Sequence, residues 1–264
     1  MQRRAFLSIL ITSLGAACLL PLRALANTWN KSAFDAVGLA DALKSLAIGN
    51  LSSAKELQIV APDKAENGAI IQIEATSMLP KTEAIYVLVD KNPTALLAKY
   101  EFKNGAQPFF VTRIKMAETS DVTLIAKVGE QFYSVSKKVE VLENGCGGGG
   151  SANEKFEPSM KLRAKLSGDV TQGLVEVKAI IIHPMHTGRG KADNGELIPA
   201  HFIQTAAISL NDKPILEMQL GTGISKNPYL TFRVKGAKIG DKINVTWLDN
   251  LGKTGTGNVD VIAA

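Results

Sequence analysis

The chain has 264 residues, with 30 Lys and Arg against 25 Asp and Glu, a formal net charge of +5, and only 2 cysteines. Three of the basic residues, Arg3, Arg4 and Arg23, lie in the first 26 positions, which hold no acidic residue, so the remainder is nearly balanced at +2. That balance, without any stripe of alternating aromatic and basic residues, argues against nucleic acid as a partner.

Arg3-Arg4 is followed by Phe6-Leu7 and a weakly apolar run from Ser8 to Leu20, and Ala24-Leu25-Ala26 closes the segment with small residues. This is the pattern of an export signal, and the paired arginines favour the twin-arginine route to the periplasm. Pro21 and Arg23 interrupt the run before the roughly 20 apolar residues a membrane span needs, so 1–26 reads as cleavable and the mature form as unanchored. Cys18, after Gly15-Ala16-Ala17, leaves a lipoprotein alternative; Gly15 stands where a larger aliphatic residue is usual. Cleavage removes Cys18 and leaves Cys146 alone. An internal disulfide is then excluded in a compartment that would permit one, and the leftover cysteine is an intermolecular partner or a reactive thiol.

In the mature chain a helix is expected first. Phe34, Val37, Leu39, Ala40, Leu43, Leu46 and Ala47 recur at three- and four-residue spacing, and Gly49-Asn50 stops the pattern. Strand signals follow. Ile71, Ile73 and Ala75 alternate with polar residues, 85–89 is almost wholly apolar, and further runs cover 111–114, 122–128 and 132–141, with Gly129-Glu130 as a tight hairpin between the last two. Glu143 to Pro158, ENGCGGGGSANEKFEP, breaks the composition: Gly145, Gly147, Gly148, Gly149 and Gly150 flank Cys146, and such a stretch is expected to be flexible. Beyond it, strands are expected over 160–166, 174–182, 202–210, 216–220, 229–234, 243–248 and 259–262, with turns at Asn211-Asp212, Gly240-Asp241 and Asn250-Leu251-Gly252. Short strands at this spacing in about 105 residues fit a β-sandwich of immunoglobulin type. The whole is therefore expected to be mainly β: two immunoglobulin-like sandwiches, 27–142 and 159–264, joined by the glycine-rich arm and linker 143–158, with an N-terminal helix on the first.

A thiol set among glycines has few uses. A catalytic nucleophile must be held against a base, which five glycines oppose, and no second cysteine exists for dithiol chemistry. Glycines supply access instead: a thiol without bulky neighbours can enter a narrow channel in another protein. Its nearest side chains in sequence, Asn144 and Ser151, are uncharged, so nothing local lowers its pKa and the thiol should be sluggish alone. The plain alternative is an incidental cysteine in a linker.

These residues resemble a known family. APDKAENGAIIQIE (61–74), LVDKNPTALLAKYEF (88–102), TRIKMAETSDV (112–122) and YSVSKKVEV (133–141), leading into NGCGGGG, are similar to the SoxY subunit of the periplasmic sulfur-oxidation (Sox) carrier. VKAIIIHPMHTGRGKA (177–192), LIPAHFIQ (197–204), SKNPYLTFRVKGAKIGDKI (225–243) and VTWLDNLG (245–252) are similar to its SoxZ subunit. The resemblance implies a non-catalytic carrier without cofactor or metal, whose two sandwiches pair through their faces. It also implies that Cys146 takes up thiosulfate as a cysteine S-thiosulfonate. The implied partners are a c-type cytochrome complex, a sulfate-releasing thiohydrolase and a sulfane dehydrogenase. Two departures stand out. The subunits, usually separate, are fused, which makes the arm an internal loop, and Asn144 replaces the usual first glycine of the arm. Related fused carrier-like proteins that lack the cysteine tail go with quinoprotein dehydrogenases, so a binding module for such a dehydrogenase or a cytochrome is one rival reading, and an enzyme using Cys146, such as a thiol transferase, is another.

His183, His186 and His201 are the only histidines, and His183-Pro184-Met185-His186 has a ligand-like spacing. Zinc needs converging geometry and a further ligand or water, and Pro184 opposes presentation of the pair on a helix, so they are read as structural or interface residues. Ser225 to Leu230 is read as an Asn-Pro turn feeding a strand near the inter-domain face.

Overall fold

The computed structural model describes residues 29–146, 156–166 and 173–263. The expected signal 1–26, with Cys18, and the glycines Gly147 to Gly150 lie outside them. No helix among the described residues is long and apolar enough to cross a membrane.

The expected N-terminal helix is two short ones, α1 (Lys31–Phe34) and α2 (Gly38–Ser45). The apolar spacing runs across the break, but tertiary bonds set it. The Ala36 carbonyl accepts from Ala95 N–H at 3.1 Å, and the Asp90 carboxylate accepts from Leu39 N–H at 2.7 Å, capping α2 from another part of the chain. Asn30 caps α1 through its side chain.

Among the described residues sixteen strands follow: β1 (Ser52–Ser53), β2 (Leu57–Val60), β3 (Lys64–Asn67), β4 (Ile71–Ser77), β5 (Ala84–Val89), β6 (Leu96–Phe102), β7 (Ala106–Ile114), β8 (Ser120–Val128) and β9 (Gln131–Glu143), then β10 (Ser159–Leu166), β11 (Val175–Ile182), β12 (Ile203–Leu210), β13 (Lys213–Leu220), β14 (Tyr229–Val234), β15 (Lys242–Asp249) and β16 (Thr254–Ile262). The first nine and the last seven form two immunoglobulin-like sandwiches. In β4 the alternation is the usual one for a strand with one face on the core: Ile71, Ile73 and Ala75 point in. β5 is apolar throughout because both its faces are covered. Ile85, Val87 and Val89 enter the main core, while Ala84, Tyr86 and Leu88 enter a smaller one beneath α1 and α2. Gly129 closes the β8–β9 hairpin at φ +56°, with Val128 opposite Gln131.

The sandwiches do not meet face to face, as the family resemblance implied. They meet edge to edge, and both sheets run through. In one sheet β6 pairs antiparallel with β13, from Phe102 opposite Leu216 to Ala98 opposite Leu220. In the other β7 pairs with β14, from Thr112 opposite Leu230 to Ala106 opposite Val234. The reason is that each domain has an edge strand with unpaired backbone groups in each layer, and pairing edges satisfies both sets at once. The core is correspondingly continuous, from Leu57 in the first domain to Val261 in the second. Trp29 reinforces the seam. Its Nε1 donates to the Leu220 carbonyl at 2.9 Å, and its ring stacks on Phe34 and tilts against Phe202.

Candidate functional site: Cys146 at the domain seam

β9 ends at Glu143, paired in parallel with Asn67 of β3, and the chain then turns into the seam. Gly68 N–H donates to the Glu143 carbonyl (2.8 Å), Met116 N–H to the Gly68 carbonyl (2.8 Å), and Gly145 N–H to the Met116 carbonyl (2.9 Å). These bonds bring two backbones so close that a Cβ on Gly145 would lie 1.9 Å from the Gly68 carbonyl. Gly145 is thus fixed rather than flexible, and glycine is required there by close approach. Asn144 has a role of its own in replacing the expected glycine: its Oδ1 accepts from Cys146 N–H at 2.7 Å, an Asx turn that aims the cysteine inward.

Cys146 is only 6% exposed, where a solvated arm was expected. Across the seam Thr187 Oγ1 donates to its carbonyl at 2.9 Å, and nearby Ser225 Oγ donates to the Ala69 carbonyl at 2.8 Å. The thiol opens on a cavity of about 220 Å³ built from both domains, with Ala69, Ile70 and Lys115 on one side and Met185, Thr187 and Ile198 on the other. Burial pushes the thiol pKa up, while the charges of Lys115 and Arg189 oppose that rise. The expected sluggishness therefore has a different origin: the cations absent from the local sequence are supplied by the fold, and desolvation outweighs them.

Lys115 is itself buried. Its Nζ donates to the carbonyls of Met185 and Thr222. Asn92 braces the segment by donating to the Lys115 carbonyl and accepting from Ala117 N–H. Burial lowers the Lys115 pKa to about 8, with Cys146 acting the other way. Met185 has a left-handed backbone, φ +50°, held by its N–H donating to His183 Nδ1 at 3.1 Å. Sequence reasoning missed Lys115, Thr187 and Arg189; nothing about a lone lysine within a strand-end segment marks it as buried.

His183, His201 and Asp249 converge, their ligand atoms within 4.8 Å of one another. Because His183 Nδ1 accepts the Met185 N–H, its proton is assigned to Nε2, which donates to Asp249 Oδ2 at 3.4 Å; His201 Nε2 meets the same oxygen at 2.7 Å. Both His183 nitrogens are thus engaged, which favours a structural cluster over a metal site. Burial lowers the His183 pKa. Burial would raise that of Asp249, but hydrogen bonds from His183, His201 and the Lys253 and Leu251 backbone outweigh it and hold the carboxyl below its ordinary value. Phe156, at the end of the linker, sets its ring edge-on to both histidines. Ser225 to Pro228 is, as expected, a turn at the seam: Ser225 N–H donates to the Arg113 carbonyl, Asn227 takes φ +53°, and β14 begins at Tyr229.

Two family models match the chain. Sulfur oxidation protein SoxY covers residues 44–146, ending on the cysteine, and Sulphur oxidation protein SoxZ covers 160–260. The chain is a SoxY–SoxZ fusion. Among solved structures it is similar to the sulfur carrier protein SoxY from Chlorobium limicola f thiosulfatophilum, with 25% identity over 43% of this chain and 100% of that one and a TM-score of 0.37. No curated protein matches it. The SoxY–SoxZ seam is therefore the wall of the Cys146 cavity, and the chain's role lies in sulfur oxidation.

Proposed function

We propose that this fusion is an exported, periplasmic, non-catalytic carrier that holds sulfur intermediates on Cys146 while partner enzymes act on them. The observation that carries this reading is the placing of the one cysteine left in the mature chain: it is the last residue of the SoxY match and faces a cavity made jointly with the SoxZ domain. In the first step the Cys146 thiolate and thiosulfate form an S–S bond, giving Cys–S–S–SO₃⁻. The two electrons pass to a c-type cytochrome complex. A thiohydrolase then adds water and releases sulfate and two protons, leaving a cysteine persulfide anion for a sulfane dehydrogenase to oxidise. The chain's own residues keep the thiol unreactive until a partner draws it out. Among the hydrogen bonds that hold the arm in place are those of Gly68 N–H to Glu143, Gly145 N–H to Met116 and Thr187 to Cys146. At about 1 kcal/mol net each, they bias the arm inward without locking it, leaving an outward state for partners to capture.

Intact mass of the protein from the periplasm of cells fed thiosulfate tests the proposal. Adducts confined to Cys146, and loss of thiosulfate-dependent electron transfer in a folded Cys146→Ser variant, are the expected results. A bare thiol under all conditions would point instead to a binding module for a quinoprotein dehydrogenase or cytochrome.

A further inference from the structure

Lys115 is 6% exposed, and burying an ammonium without a counter-charge is costly. The Met185 and Thr222 carbonyls account for two of its three protons. Among the described residues no carboxylate lines the cavity it shares with Cys146, and the other ionisable groups there, His186 and Lys226, are basic. On the opposite side of Cys146 Arg189 lines a narrower hollow and adds positive charge. The group that favours the Lys115 charge is Cys146, yet a thiol with a raised pKa is neutral at neutral pH and supplies no anion. Among the described residues, then, a buried cation and a neutral thiol share a hollow that offers Lys115 no carboxylate. A thiosulfonate on Cys146 would bring a negative charge with five heavy atoms beyond Sγ. The cavity of about 220 Å³ has room for such a group, being several times the roughly 30 Å³ share of a water.

Building on the carrier reading, we propose that Lys115 is a specificity-determining residue that holds the anionic end of a sulfur adduct on Cys146 within the seam cavity, so that anionic adducts are retained and neutral ones are not. Lys115 comes from the SoxY domain and its carbonyl partners from the SoxZ domain. A sulfonate oxygen taking the remaining N–H therefore closes a contact that spans the seam.

Two adducts of the full-length protein test this. Tetrathionate converts the Cys146 thiolate to the S-thiosulfonate with release of thiosulfate. Methyl methanethiosulfonate gives the neutral methyl disulfide with release of methanesulfinate. The rate at which dithiothreitol, an uncharged thiol, removes each adduct is followed by intact mass. Lys115→Met is expected to speed removal of the thiosulfonate about tenfold, the effect of losing one charge-assisted hydrogen bond, and to leave the methyl disulfide rate nearly unchanged; Lys115→Arg restores part of the protection. Equal acceleration of both adducts, or of neither, overturns the proposal. A second measurement needs no variant: the wild-type thiosulfonate form should melt at a higher temperature than the methyl disulfide form, and an equal or lower value also overturns it. Neither readout depends on whether cells load Cys146, so failure here is separate from a bare thiol in thiosulfate-fed cells, which sinks the carrier reading alone.

Discussion

Cys146 sits where the bond from Thr187 and the backbone contact between Gly68 and Gly145 hold it out of water. At neutral pH its alkylation by iodoacetamide should be slower than in the denatured chain, since burial raises the thiol pKa and limits access. Thr187→Val removes the seam bond to the Cys146 carbonyl and should speed alkylation about fivefold, the factor for about 1 kcal/mol. Gly145→Ala should act more strongly. Its Cβ would meet backbone that cannot yield, so the arm must leave the seam. Alkylation should then approach the denatured rate with a modest loss in Tm. An unchanged rate in both variants would mean that the thiol is already free in solution.

At the scale of elements, β9 hands the chain to the arm and Phe156 receives it back. The short tether is Asn144 to Cys146, about 10 Å when extended, and the long one from Cys146 to Phe156 is ten residues, about 35 Å; the ring contacts of Phe156 make it two residues shorter than a linker running to Pro158. The cluster that receives Phe156 sets an acid limit on stability. The folded pKa of His183 lies below its ordinary 6.5, so as pH falls past about 6.5 the unfolded chain takes up a proton that the folded chain refuses, and stability drops. Asp249, held below its ordinary 3.8, adds stability that is present above that value and lost as pH falls from it through the lower folded value. Urea midpoints measured from pH 8 to pH 5 should therefore decline for the wild type more steeply than for His183→Gln. Asp249→Asn replaces an acceptor shared by two histidines and should cost roughly 2–3 kcal/mol at neutral pH, read as a lower urea midpoint with no change in slope.

Over the whole molecule, two sheets that cross the seam and one continuous core couple the sandwiches. Thermal unfolding should show one transition. Proteolytic cutting between 147 and 155 should leave the halves associated, because edge pairing and the Trp29 contacts do not depend on the linker; the covalent link only supplies an effective concentration of about millimolar. Two separate transitions, or halves that part on a sizing column after cutting, would show that the seam is weak. Trp29→Ala, which removes the bond to Leu220 and the packing on Phe202, should lower the dissociation threshold of the cut protein before it affects either half alone.

The mainly β character, the Gly129 hairpin and the seven described strands of the second sandwich were legible in the sequence because period-two alternation and turn residues are local signals. β6 was not. LLAKYEF favours a helix as readily as a strand, and it becomes a strand because β5 and β13 pair with it from either side. The break between α1 and α2 was missed for the same reason, since Asp90 and Ala95 make it from a distance. For the site, glycine spacing and cysteine count singled out Cys146, and the family motifs assigned it a chemistry. Whether that thiol stands in water or in a cationic cavity depends on Lys115, Thr187 and Arg189, which are 31, 41 and 43 positions away. Charge and burial act through space, and only the pairing of four edge strands brings those residues to one place.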